Sequence, residues 1–274
     1  MIQTPRRYEI SDSLSAERII EKYDGSRTMI STPVSAPDLD SITLPIHNRE
    51  ALQQLELEKD HLSIVSNAVG VAAACSGIFV NSAGLLILAA AYRPLIRLEK
   101  VARLIKVMNI LLEHFESQGV QIFPSLQVPD NQPLDLFVRF PQKAHLLISI
   151  RSKGDAEIVF KEENETLYVK RKGKGSRYWK PCPLVELGNY TNWLNKNRQL
   201  FGISAKEVRN TPLAKVLALW HPTKIDEHNE HLYSTISEIK LLVLRRKGTS
   251  FVIQEEEMIN FIKAYLAKYE AKDA

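Results

Sequence analysis

Leu134-Asp135-Leu136-Phe137-Val138-Arg139-Phe140 is followed, beyond a turn led by Pro141, by His145-Leu146-Leu147-Ile148-Ser149-Ile150-Arg151 and then by Ser152-Lys153-Gly154. Each apolar run is short and bounded by turn residues, which predicts two adjacent strands. The first carries Asp135 at its start, and the second delivers Lys153 at its end. Further strands are expected at Val120–Phe123 before this pair, and at Ala156–Phe160 and Thr166–Lys170 after it. Lys215–Trp220, Lys240–Arg245 and Ser250–Ile253 complete the set. Leu98, Val101, Ile105, Met108, Leu112 and Phe115 recur by three and four, the spacing of one helix face, so a helix should follow Pro94 and end before Gly119. Leu184–Phe201 reads as a second helix and Glu255–Lys268 as a third. Glu255, Glu256 and Glu257 favour the N-terminus of that last helix electrostatically. A helix, a run of strands, a helix and more strands predict an α/β fold with a mixed sheet flanked by helices.

Composition is that of a chain with a core: 274 residues, 45% apolar, 25% charged, net charge +4. The mild basic excess suits nucleic acid or anionic lipid without requiring either. Two cysteines, Cys75 and Cys182, are too few for a four-thiolate zinc site. Cys75 lies in an uncharged stretch and Cys182 in an expected loop, so no disulfide is expected and a reducing compartment is the simplest reading. No apolar core follows Arg6 and Arg7, so no secretory signal is expected within Met1–Asp40. Met1–His61 is polar, with short helices expected at Ala16–Tyr23 and Arg49–Lys59 and with poor order in part.

Leu62–Tyr92 runs for about 31 residues without an Asp, Glu, Lys, Arg or His, and a helix needs about 20 apolar residues to cross a bilayer. Length predicts a membrane segment at 62–92, either as one tilted span near Val69–Ala91 or as a hairpin. The hairpin would turn near Ser76–Gly77 or Asn81–Ser82, with Gly70, Ala74 and Gly77 allowing close contact. A buried helical hairpin away from lipid is the competing reading. Arg93, Arg97, Lys100, Arg103 and Lys106 follow at once, which places the domain of residues 93–274 on the cytoplasmic side of a membrane. The basic face of that helix could also rest on anionic membrane lipid.

Hydrolysis of a phosphodiester by a bound metal needs oxygen ligands for Mg²⁺ and a cation beside the attacked phosphate. Asp135 at one strand's start and Lys153 at the next strand's end are two parts of such a set. From Leu98 to Lys268 the order of elements resembles the nuclease-related domain (NERD) family, a branch of the restriction-endonuclease-like fold. The resemblance rests on the leading helix, the Asp135 strand, the strand ending in Lys153 and Gly154-Asp155-Ala156-Glu157-Ile158. It continues through the basic hairpin, Pro183-Leu184-Val185-Glu186 and the closing strand and helix. It implies Asp135 as metal ligand, Lys153 as catalytic cation and Mg²⁺ as cofactor. The chain departs from the family at two places. The family's Glu, two positions before the Lys, falls on Arg151, and its Gln falls on Glu186. Either another carboxylate (Glu157, or Glu113 or Glu116 on the leading helix) has taken over, or cleavage is weak or lost.

Lys170, Arg171, Lys172, Lys174, Arg177 and Lys180, with Tyr178 and Trp179 beside them, form a basic run suited to phosphate contact and base stacking. A solvated hairpin tip has the same composition. His221, His228 and His231 with Asp226, Glu227 and Glu230 match no compact zinc spacing and read as a polar loop. Two functions are expected from these residues. One is a membrane-anchored, nuclease-like protein that binds nucleic acid. The other is a non-catalytic assembly protein that reuses the fold to dock a membrane-protein partner.

Overall fold

A computed structural model describes residues 45–75, 82–246 and 248–270. Thr43–Ala274 form one compact unit. The polar segment holding the helix expected at Ala16–Tyr23 lies outside the described residues. The chain enters through two long helices, α1 (Asn48–Cys75) and α2 (Ser82–Phe115). Three strands follow: β1 (Gln121–Leu126), β2 (Leu134–Phe140) and β3 (Ala144–Arg151). Then come β4 (Glu157–Lys161), β5 (Thr166–Arg171) and β6 (Lys174–Tyr178), the helix α3 (Pro183–Lys196) and a short α4 (Ala205–Asn210). The last part is β7 (Leu213–Leu219), β8 (Lys224–Ile225), β9 (Tyr233–Ile236), β10 (Ile239–Arg245), β11 (Thr249–Gln254) and α5 (Met258–Glu270).

Seven strands form a mixed sheet in the order β1-β2-β3-β7-β11-β10-β9, and β6-β5-β4-β8 form a second sheet. Strands β2 and β3 join the antiparallel and parallel parts of the large sheet. β2 and β3 pair antiparallel with Leu136 opposite Ile148, and β3 pairs parallel with β7 through Ile148 and Val216. Because side chains alternate along a strand, each central strand feeds two cores. Leu136, Leu146, Ile148 and Val216 meet Val101, Leu104 and Met108 of α2 and Phe261 and Ile262 of α5. Phe137, Leu147, Leu217 and Val252 meet Leu184, Leu187 and Tyr190 of α3 and Ile158, Phe160 and Leu167 of the second sheet. The centre of the large sheet is thus buried on both faces, which is why β2, β3 and β7 read as continuous apolar runs.

The expectation of a membrane span is overturned. Among the described residues no helix is long and apolar enough to cross a membrane. The uncharged stretch is not one helix: it is divided between the last part of α1 and the first part of α2. Each share falls short of the roughly 20 residues a crossing takes. The rest of each helix is charged, with Glu56, Glu58, Lys59 and Asp60 on α1 and Arg93, Arg97, Glu99 and Lys100 on α2. Counting along the chain overstated what matters, which is the apolar length along one helix axis. The transmembrane hairpin, the span at Val69–Ala91, the membrane location and the cytoplasmic orientation inferred from it all fall with this. The turn expected at Ser76–Gly77 and residue Asn81 lie outside the described residues.

α1 and α2 instead pack against one another and onto the sheet. Asn48 ties the start of α1 to β1: its side chain donates to Val120 O (2.7 Å) and accepts from the Ile122 N–H (2.8 Å). Ala51, Leu52 and Leu55 are buried in the same core as α2. α2 runs through Pro94 without a break, so the leading helix starts earlier than its expected boundary. Proline removes one helical hydrogen bond, and the helix carries on where Arg97, one turn later, grips Glu58 of α1 through two bonds of 2.6 and 3.0 Å. After Phe115 the chain reverses at Gly119, whose φ of 72° suits a residue without a Cβ.

Candidate functional site

Asp135 is fully buried at the start of β2. A carboxylate in that position is costly unless its oxygens are paired. The antiparallel register brings the end of β3 beside it. The Ile150 N–H donates to Asp135 Oδ2 (2.7 Å), and Arg151 Nη1 donates to the same oxygen (2.5 Å). From α2, Lys100 Nζ lies 2.6 Å from Oδ1. That contact is an ion pair off the hydrogen-bonding direction, so Oδ1 gains charge compensation without a hydrogen bond. The other arm of Arg151 reaches Glu186 Oε2 at 3.4 Å. Glu186 is buried in the first turn of α3, where the helix N-terminus also favours negative charge. Tyr190, one turn on, closes the cluster, its hydroxyl donating to Gln132 O (2.8 Å).

The result is a buried, alternating network: Lys100, Asp135, Arg151, Glu186. Burial works against the charge on Arg151, but Asp135 and Glu186 more than offset it, and its pKa is raised. Burial pushes the Tyr190 phenol up, with Glu186 adding to the rise, so it stays a neutral donor. These residues do not fit Mg²⁺, which takes about six oxygen ligands. The Asp135 carboxylate faces a guanidinium and an ammonium instead, and like charges would repel the ion. Among the described residues no group of three or more His, Cys, Asp or Glu is placed to hold a metal ion.

Lys153 follows β3, as the sequence predicts, and is held from behind. Its N–H donates to Thr223 Oγ1 (2.7 Å), and that hydroxyl donates to Gly154 O (3.0 Å). The ammonium lies 4.9 Å from the centre of the Trp179 ring. Its pKa is lowered, first by burial and then by Arg151 and Arg171, with Glu186 opposing. Glu157 is not brought to this cluster. It opens β4 in the second sheet, is exposed, and pairs with Lys170 (3.0 Å). Glu113 is exposed on α2, and Glu116 holds Arg49 (2.7 Å), so neither substitutes for the missing ligand.

The basic run forms the β5–β6 hairpin, turning at Lys172-Gly173 with a register shift between Val169 and Arg171. Its cations differ in state. Lys170 is neutralised by Glu157 and by Asp226 (3.2 Å). Arg171 Nη2 donates to Lys153 O (3.3 Å). Lys172, Lys174 and Arg177 are exposed and form no ion pair with the described residues. A groove of about 570 Å³ beside the turn is lined by Glu157, Lys170, Arg171, Lys172, Lys174 and Lys224, among others. Trp179 is only 3% exposed, packed in the core under Lys153, so the expected stacking role has no surface to use. Tyr178 is 38% exposed and lies edge-on to Tyr168 at 5.9 Å.

The histidine loop is tied up in structure. The Phe160 N–H donates to His228 Nε2 (2.8 Å), which leaves Nδ1 as the donor to Asp226 O (2.6 Å). His231 Nε2 lies 2.6 Å from Glu162. Sequence reasoning missed Lys100 and Tyr190 as members of the Asp135 cluster. Glu186 supplies the acid that compensates the cation of Arg151. Sequence reasoning also missed the network of Arg139, Glu207 and His145, in which Arg139 makes bonds of 2.8 and 3.0 Å to the two Glu207 oxygens. No protein-family model, no curated protein and no solved structure matches this chain.

Proposed function

We propose that this chain binds nucleic acid through the phosphate backbone and does not hydrolyse it, a nuclease-like α/β domain kept for binding. The observation that carries this reading is the β5–β6 hairpin, where Lys172, Lys174 and Arg177 reach solvent with no counter-charge among the described residues. Such cations gain by displacing the counterions condensed on a polyanion. With Trp179 buried, recognition runs through charge rather than base stacking, so sequence preference is low. The Asp135 network supports the second half of the reading, since Arg151 stands where a metal would have to enter.

Fluorescence anisotropy with labelled single-stranded and duplex DNA over a salt series tests it. Binding should weaken steeply with salt. Replacing Lys172, Lys174 and Arg177 together by Ala should reduce the log–log slope by about 2 to 3, close to one released counterion per cation. Binding that ignores salt, or that the triple variant leaves intact, overturns the assignment. Cleavage in Mg²⁺ that vanishes in Asp135→Asn overturns the non-hydrolytic half alone.

A further inference from the structure

Among the described residues, α1 and α2 carry five large apolar side chains that stay exposed. Leu57, Ile64, Tyr92, Leu95 and Ile96 are between 49% and 68% exposed. Among the described side chains, Ala51, Leu52 and Leu55 of α1 and Val101 of α2 are buried in the core, and Leu62 packs against it partly buried. Leu57 and Ile64 are seven apart on α1 and share a face with Asp60 and His61 between them, and Tyr92, Leu95 and Ile96 are three and four apart on one face of α2. Scattered exposed apolar residues are ordinary, whereas a contiguous set marks a contact surface.

We infer that this set is a homodimer interface, with a second copy of the chain as its occupant. Charge complementarity selects that occupant. Leu57 is flanked on α1 by Glu56 and Asp60, while Tyr92 and Ile96 are flanked on α2 by Arg93. All three charged residues are exposed and form no ion pair with the described residues. A two-fold contact brings the same patch of both copies together, so a patch with one acidic and one basic half is self-complementary. Laid antiparallel, α1 of one copy covers α2 of the other, Leu57 and Ile64 pack on Tyr92, Leu95 and Ile96, and Arg93 approaches Glu56 and Asp60. The same pairing then repeats across the axis. Glu58 and Arg97 are already paired within each copy and keep α1 and α2 together.

Sedimentation equilibrium of the full chain from about 1 to about 100 µM tests this, because an association of this kind must follow mass action. The expected result is a dimer at the upper end. Leu57→Glu combined with Ile96→Glu should raise the dimer dissociation constant by at least about 100-fold while leaving the circular dichroism unchanged, as both side chains lie outside the core. Glu56→Lys and Arg93→Glu should each weaken the dimer, and the two together should restore it. A wild-type chain that stays monomeric overturns the inference, as does a dimer indifferent to the Leu57 and Ile96 changes. A monomer that binds phosphatidylglycerol vesicles overturns it in favour of a lipid surface.

Discussion

At the scale of single residues, Asp135 is a structural ion. Lys100 and Arg151 are brought out of water against it, and Glu186 balances the remaining charge. Removing the carboxylate leaves two cations with one partner. Asp135→Ala should therefore cost about 3–5 kcal/mol in urea denaturation, the usual penalty for breaking a buried pair. A residue kept for catalysis would show the opposite pattern, with activity lost and stability spared. His145 offers a pH handle. Its pKa is lowered, by burial first and against the raising pull of Glu207. The unfolded chain takes up the imidazole proton at a higher pH than the folded one. The stabilisation is complete above the ordinary imidazole value of about 6.5 and is lost as pH falls through the depressed one. Thermal melts between about pH 8 and about pH 5 should show Tm falling, and His145→Gln should flatten that part of the profile. The sequence places Asp135 and Lys153 at neighbouring strand ends. It could not show that Arg151 turns toward Glu186, because the two are 35 residues apart and only the register of β3 against α3 brings them together.

At the scale of elements, what was readable follows burial. β2, β3, β7 and β11 lie inside the large sheet with both faces covered, so their apolar runs announced them. β6 is exposed along its whole length. With neither face buried it carries no apolar alternation, and only its pairing with β5 makes it a strand. The same reasoning explains the hairpin of α1 and α2, where absence of charge was visible and the break between two helices was not. The turn between β10 and β11 gives an element-level prediction. Gly248 has φ of 91°, and a Cβ there would come within 2.8 Å of Lys215 Nζ. The positive φ alone costs a residue with a Cβ about 1–2 kcal/mol. Gly248→Ala should lower the urea midpoint accordingly, with the slope unchanged because the exposed surface on unfolding is the same.

At the scale of the whole molecule, the helical hairpin of α1 and α2 and the basic hairpin of β5 and β6 are separate surfaces. Pairing two copies would join two basic hairpins in one assembly, so that a second contact with the same strand becomes intramolecular and avidity rises without any new contact. Neither surface could be weighed from composition, since a net charge of +4 hides a local surplus on β6 and a local balance on the helices. The position of β6 has one more consequence. Among the described residues it is the outermost strand of its sheet and is bonded only to β5. Its free edge is a template on which any extended segment could add itself, and like-charged lysine and arginine side chains are a common way of keeping such an edge closed. Lys174 and Arg177 would hold that edge closed, so the alanine variant made to test polyanion binding should also be followed for fibrils with thioflavin T.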